Sequence, residues 1–140
     1  MKKTTGFTLI ELLIVMVIIS TLVTIALPKY QRALERGRAL EGLRNVQYAA
    51  DYANAKHMAT GEYPTSLPNT DQIKNRFFDA PVINGTTVTI SRKGTSWSYQ
   101  LTASSSGEGY ITSITCGSKS GQSTNNCEEL DLTGNLMQRI

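Results

Sequence analysis

The feature that most restricts this chain is an apolar run from Phe7 to Leu27 that holds a single carboxylate, Glu11. About 21 residues at 1.5 Å rise span roughly 30 Å, the thickness of a bilayer's hydrocarbon core. An ionised carboxylate in a membrane helix costs about 2.5–3.5 kcal/mol on insertion scales, so Glu11 needs either water at the interface or a partner. The residues before it supply a candidate. Met1 to Gly6 form a short leader with Lys2 and Lys3 and no apolar core of its own. A secretory signal places its apolar region upstream of a small-residue cleavage site. Here the small residue, Gly6, comes first. A cut after Gly6 would remove the charged leader, keep the apolar helix, and create an α-amino group on Phe7, one helical turn from Glu11. That cation is a natural counter-charge, within one chain or between neighbours.

The stretch Gly6-Phe7-Thr8-Leu9-Ile10-Glu11-Leu12 resembles the processing site of type IV prepilins and the related pseudopilins of type II secretion. The resemblance implies that a prepilin peptidase cleaves after Gly6 and N-methylates Phe7. It also implies that Glu11 neutralises the amine of a neighbouring subunit during assembly. Pro28 matches the family's usual proline at the end of the membrane segment. The implied fold is α+β, with a long N-terminal helix packed on a small antiparallel β-sheet. The implied partners are further copies of the chain in a helical filament, the peptidase, and an inner-membrane assembly platform with ATPase-driven machinery. The implied location is the bacterial inner membrane, single-pass with the head outside the cytoplasm, then a cell-surface or periplasmic filament. The resemblance is sharp over roughly the first 55 residues and general beyond them.

With 140 residues there is room for one membrane helix and a head of roughly 80 residues. So small a head buries little core and gains from a covalent staple. The formal charge of +3 owes two units to Lys2 and Lys3, so a processed chain is nearly neutral and gives no case for nucleic-acid binding. The expected organisation is a leader over 1–6, a membrane and assembly helix over 7–28 and an amphipathic helical half over 29–58. The head then covers 59–140: a connector over 59–85, a sheet over 86–116 and a disulfide loop over 116–127.

Pro28 lacks an N–H and predicts a kink or loosening. Beyond it Ala33, Leu34, Leu40, Leu43, Val46, Ala50 and Ala53 recur at helical spacing, with Arg32, Glu35, Arg36, Glu41 and Arg44 filling much of the rest. Thr60-Gly61 ends the helix near Met58. Gly37 and Gly42 read either as close helix contacts in a filament or as tolerated surface glycines. Charge raises a conflict: Lys29, Arg32, Arg36 and Arg38 outnumber Lys2 and Lys3, so the positive-inside rule taken alone puts the head in the cytoplasm. The cysteines and the resemblance put it outside, and that orientation is adopted. The basic face then reads as a subunit contact that pairs with Glu35 and Glu41 of neighbours.

In the connector Pro64, Pro68 and Pro81 break structure, while Leu67, Ile73, Phe77 and Phe78 read as anchors on the head. A short helix over 71–76, capped by Asn69 or Thr70, fits the pattern. Gly61 to Thr65 is similar to a loop that often follows the long helix in pilins. Three strand-like runs follow, Thr86–Ser91, Trp97–Ala103 and Tyr110–Cys116, joined by hairpin turns. Three consecutive strands make an antiparallel meander, and the amphipathic helix is the available cover for its apolar face. Trp97 and Tyr99 read as core.

Cys116 and Cys127 enclose a loop dominated by Gly, Ser, Asn and Gln that cannot pack itself. A disulfide there stabilises the head by roughly 2–3 kcal/mol, and an even cysteine count in an exported domain favours it. Family pilins often carry such a C-terminal loop. Two sulfurs and the distant His57 make no zinc site. Glu128, Glu129 and Asp131 are too few and unpatterned for calcium, so no metal or cofactor is expected. No catalytic constellation stands out, and His57 reads as exposed and inert. The reading is a structural subunit of a type IV pilus-like filament serving adhesion, motility or DNA uptake. The alternatives are a secretion pseudopilin and an unprocessed single-pass anchor carrying a binding head.

Overall fold

The computed structural model describes residues 6–68, 73, 76–105, 107, 109–119 and 126–139. The leader residues 1–5, most of the proposed 71–76 helix with its caps, and the interior of the cysteine loop lie outside that set. One helix, α1 (Leu9–Thr60), is followed by β1 (Val82–Asn84), β2 (Thr87–Ser91), β3 (Gln100–Ser105), β4 (Ile111–Gly117) and a closing 3-10 turn, Leu136–Arg139. The chain divides between Leu34 and Glu35 into two compact units.

Among its described residues the first unit is helical from Leu9 onward. Its helical residues are all exposed, with Leu, Ile, Val and Met side chains on every side. Such a helix is stable only where the surroundings are apolar. Its few hydroxyls are satisfied internally: Ser20 Oγ donates to the Met16 carbonyl at 2.7 Å, Thr21 Oγ1 to Ile18 at 2.8 Å and Thr24 Oγ1 to Ser20 at 2.8 Å. No hydroxyl of that run therefore asks lipid for a hydrogen bond. The helical assignment continues through Pro28.

The second unit holds the core. The sheet has strand order β1-β2-β3-β4, all antiparallel. Period-2 alternation puts Val88, Ile90, Leu101 and Ala103 on its buried face, with Ile90 opposite Leu101 and Ala103 opposite Ile114. Against this face lie Ala39, Leu43, Val46, Ala49, Ala50 and Ala53 of α1, with Phe78, Tyr99, Leu130 and Leu136 completing the core. The alanines let the helix backbone come close to the sheet. The outer edge of β4 is closed by side chains. Asn54 accepts from Ile111 N–H at 2.9 Å and donates to the Ile111 carbonyl at 3.0 Å, and Asn135 accepts from Ile114 N–H at 3.1 Å. The helix ends as expected: Gly61, at φ 77°, donates its N–H to the His57 carbonyl at 2.8 Å.

Three expectations change. The sheet has a fourth strand, because Val82–Asn84 in the expected connector pairs with β2 through a two-residue loop. Gly85 opens that loop at φ 56°, a conformation that suits glycine. The third strand starts at Gln100, not Trp97. The Ser98 backbone is instead tied to Asn126, whose side-chain oxygen accepts from Ser98 N–H at 2.8 Å and whose own N–H donates to the Ser98 carbonyl at 3.2 Å. Tyr99 is buried as expected, while Trp97 only borders the core. On α1, Ala33, Leu34 and Leu40 are exposed, and the buried stripe runs through Ala39 and Ala49 instead. Leu67, Ile73 and Phe78 are buried and Phe77 packs on the core, so the connector's anchors lie where the sequence places them.

Candidate assembly site

Phe7 is 89 % exposed at the start of the apolar helix, and nothing crowds Gly6 within 4 Å. Thr8 caps α1. Its N–H donates to Glu11 Oε2 at 3.0 Å and its hydroxyl to the same oxygen at 2.8 Å, while Glu11 N–H donates back to Thr8 Oγ1 at 3.4 Å. This is a reciprocal capping box, in which the acid three residues into the helix returns to the capping residue's N–H. It places the one carboxylate of the apolar run at the positive end of the helix dipole, beside Phe7. A carboxylate offers about four lone-pair sites, so a cation can still be accepted alongside the two bonds from Thr8. The pattern Thr-x-x-Glu before an apolar run was legible in the sequence and went unused; it explains how Glu11 is held before any second chain is present.

Where the second unit begins, a different carboxylate is buried. Glu35 is 0 % exposed. Its Oε1 accepts from Arg92 Nε and from the Tyr99 hydroxyl at 3.1 Å; its Oε2 accepts from Arg92 Nη2 at 3.0 Å and Arg38 Nη1 at 3.1 Å. Arg92 Nη1 donates to the carbonyls of Phe77 and Lys93, both at 2.9 Å. The guanidinium groups of Arg38, Arg76 and Arg92 lie 4.8, 5.4 and 5.5 Å from the Phe77 ring centre. Burial pushes the Glu35 carboxyl up, but the hydrogen bonds and charge of Arg92, with Arg38 and Tyr99, bring it below its ordinary value. Burial and the neighbouring carboxylate raise the Tyr99 phenol.

This overturns the expectation for Glu35, which does not await a basic residue of a neighbouring subunit, and gives Glu41 a role within its own chain. Glu35 is consumed inside its own head, and Glu41 Oε1 accepts the N–H groups of Arg76 at 2.9 Å and Phe77 at 3.2 Å. Gly42 is likewise neither a filament notch nor a surface glycine. A Cβ there would stand 2.5 Å from Phe78 Cζ, so the glycine makes room for that ring. His57 is not exposed either: it is half-buried, stacked on Tyr63 at 4.3 Å and edge-on to Tyr110 at 6.1 Å. Tyr63 in turn donates its hydroxyl to the Gly109 carbonyl.

Cys116 and Cys127 are joined, with Cα atoms 5.8 Å apart. The bond ties the end of β4 to the turn at 127–131, whose Leu130 carbonyl accepts from Arg36 Nε at 3.1 Å. Among the described residues no cluster of metal-ligating side chains occurs.

A long N-terminal helix, apolar in its first half and covering a small antiparallel sheet in its second, gives an α+β chain of pilin-like fold with one helix long and apolar enough to cross a membrane. Residues 1–27 match the family model described as the prokaryotic N-terminal methylation motif, the prepilin signature of type IV pilins and pseudopilins. The chain thus carries the precursor motif of structural filament subunits. No curated protein matches the chain.

Proposed function

We propose that the protein is a structural subunit of a type IV pilus-like filament. In this reading a prepilin peptidase cuts after Gly6 and methylates Phe7, and the mature chain waits in the inner membrane with its head outside the cytoplasm. An inner-membrane platform driven by an ATPase then moves it into a helical filament of like subunits. The observation that carries the reading is the helical run Leu9–Leu27, apolar on all sides apart from Glu11 at its start and unburied, within the methylation motif. Lipid covers such a surface before assembly and neighbouring helices cover it afterwards, so it never faces water. Glu11, held by Thr8 at the helix start, meets the Phe7 ammonium of an adjacent subunit and sets register. The Cys116–Cys127 loop supports a pilus over a secretion pseudopilin.

Intact mass spectrometry of the protein from its native membrane or from sheared surface material tests processing and export together. The expected chain begins at methylated Phe7 and is two hydrogens lighter across Cys116–Cys127. A chain beginning at Met1 with free thiols would leave only an unprocessed anchor. Glu11→Ala is expected to be cleaved normally and to give few or no filaments. Wild-type filament yield from that variant would remove Glu11 from the assembly step.

A further inference from the structure

Asn84-Gly85-Thr86 is the chain's one Asn-x-Ser/Thr triplet, the pattern that marks an asparagine side chain as a glycan acceptor. The fold sets it at the tip of the hairpin joining β1 to β2, with all three residues exposed. Turn chemistry explains only part of the triplet. Gly85 supplies the φ of 56°, and Thr87 Oγ1 donates to the Asn84 carbonyl at 2.8 Å. Neither the Asn84 carboxamide nor the Thr86 hydroxyl has a hydrogen bond among the described residues, so the hairpin does not use them. Other asparagines are committed: Asn54 to Ile111, Asn126 to Ser98 and Asn135 to Ile114. We infer that Asn84 is an N-glycosylation site, modified on the folded head, an inference that rests on the exported head of the proposed function.

The Asn84 amide nitrogen bonds to the anomeric carbon of a sugar carried on a polyprenyl diphosphate. The anomeric C–O bond breaks, the diphosphate leaves with its electron pair, and one amide proton passes to a base of the transferase. A lipid-borne donor shares the membrane with the anchored subunit. An amide nitrogen is a poor nucleophile, because its lone pair is delocalised into the carbonyl. A transferase must therefore hold the acceptor closely, and the hydroxyl two residues on is the handle. Here both groups are free, and even an added Cβ at Gly85 would meet nothing within 4 Å, so the backbone between them is open to a large enzyme.

The surroundings suit a sugar. Asn84 alternates with buried Ile83 and so shares the sheet's outer face with its register partner Thr87 and, further along the row, Ser104 and Ser113. Ser104 Oγ and Ser113 Oγ lie 3.1 Å apart at the end of that row. A glycan rooted at Asn84 thus extends over hydroxyls that can bond it. It also stands beside β1, an edge strand, whereas the β4 edge is already closed by Asn54 and Asn135. Bulk at that end guards an open edge against pairing with another chain.

The test is peptide mapping by mass spectrometry of the full-length protein taken from its native membrane, beside Thr86→Ala and Thr86→Ser. Trypsin cuts after Arg76 and Arg92 and frees Phe77–Arg92 with Asn84 inside it. In wild type that peptide is expected to be heavier by whole sugar residues, with electron-transfer fragmentation placing the added mass on Asn84. Thr86→Ala is expected to abolish the modification, and Thr86→Ser, which keeps the hydroxyl, to retain it. A bare Asn84 in wild type overturns the inference. So does a sugar that persists in Thr86→Ala or maps to a threonine of the same peptide. Conversion of Asn84 to aspartate with no sugar attached would make the Asn-Gly pair a deamidation site instead, and also overturns it. The cysteines in the same digest check the exported reading separately. Free thiols at Cys116 and Cys127 with a bare Asn84 would sink the exported head and the site together, whereas a closed disulfide with a bare Asn84 sinks only the site.

Discussion

Residues Leu9–Leu34 and residues Glu35–Thr60 belong to one helix, yet they meet their surroundings by opposite rules. The first stretch buries nothing, and the hydroxyls of Ser20, Thr21 and Thr24 in its apolar run are satisfied by the helix itself. The second buries a stripe of alanines, Leu43 and Val46, and commits its polar side chains to the head: Glu35 to Arg92, Glu41 to Arg76 and Phe77, Asn54 to Ile111. Each carries a notable carboxylate. Glu11 is held by one adjacent threonine and keeps capacity for another chain, while Glu35 has four donors and none to spare. A subunit that must change environment needs the first kind, and a head that must keep its fold needs the second.

The sharpest way to break this contrast is to remove each acid. Glu35→Ala strands the buried Arg92 guanidinium and is expected to cost the head about 3–5 kcal/mol, read as urea unfolding followed by Trp97 fluorescence. Glu11→Ala should leave that curve unmoved. The pH dependence follows from the same cluster. Because the folded-state Glu35 pKa is lowered, its contribution is present above the ordinary carboxylate value and is lost as pH falls through the folded one. The raised Tyr99 pKa acts at the other end, with stability lost as pH climbs past the ordinary tyrosine value of about 10. Glu35→Gln should flatten the acid limb and reduce the alkaline one to the part that burial of Tyr99 supplies. An unchanged acid limb would show that the cluster does not set it.

Next in size is a matched pair of apolar truncations. Leu101→Ala opens a cavity between β3 and α1 and is expected to cost about 2–5 kcal/mol. Ile18→Ala, on the uncovered stretch, should cost the head nothing measurable by the same unfolding assay. Equal losses would mean that the two units unfold as one.

These contrasts also mark what the sequence could reveal. The apolar run, the methylation motif, the cap at Gly61 and the alternation of Val88, Ile90 and Leu101 are local patterns, and each was readable. The Thr8–Glu11 box was equally local and was passed over. Val82–Asn84 is three residues long, too short for alternation to show, and only the Asn-Gly pair at its end announced a hairpin. The burial of Glu35 could not be read at all: on a helix wheel it is one more charged residue, and Arg92 lies 57 positions away. The same holds for Trp97 and Ser98, which look like strand until Asn126, 28 positions on from Ser98, claims the backbone.

Opening the Cys116–Cys127 bond by Cys→Ser at both positions is expected to cost roughly 2–3 kcal/mol in the unfolding assay. The effect should be confined to the head, with cleavage after Gly6 unaltered. A precursor that accumulates in that variant would tie the loop to processing and blur the separation of the two units.

The smallest expected effects are the most discriminating, because they set two glycines five residues apart on one helix against each other. At Gly42 an added methyl meets the Phe78 ring at 2.5–2.8 Å, and nothing nearby is a flexible chain end. Overpacking of that kind costs about 1–3 kcal/mol, more than the ~1 kcal/mol that alanine gains over glycine as a helix former. At Gly37 the same methyl meets nothing within 4 Å, so only the helix gain remains. Gly37→Ala should therefore stabilise the isolated subunit by about 0.5–1 kcal/mol, whereas Gly42→Ala should destabilise it. If Gly37→Ala raises subunit stability but lowers filament yield, the glycine is kept for a neighbour that the single chain does not contain. If yield is unchanged, Gly37 is a plain weakness in a helix whose stability comes from packing elsewhere along it.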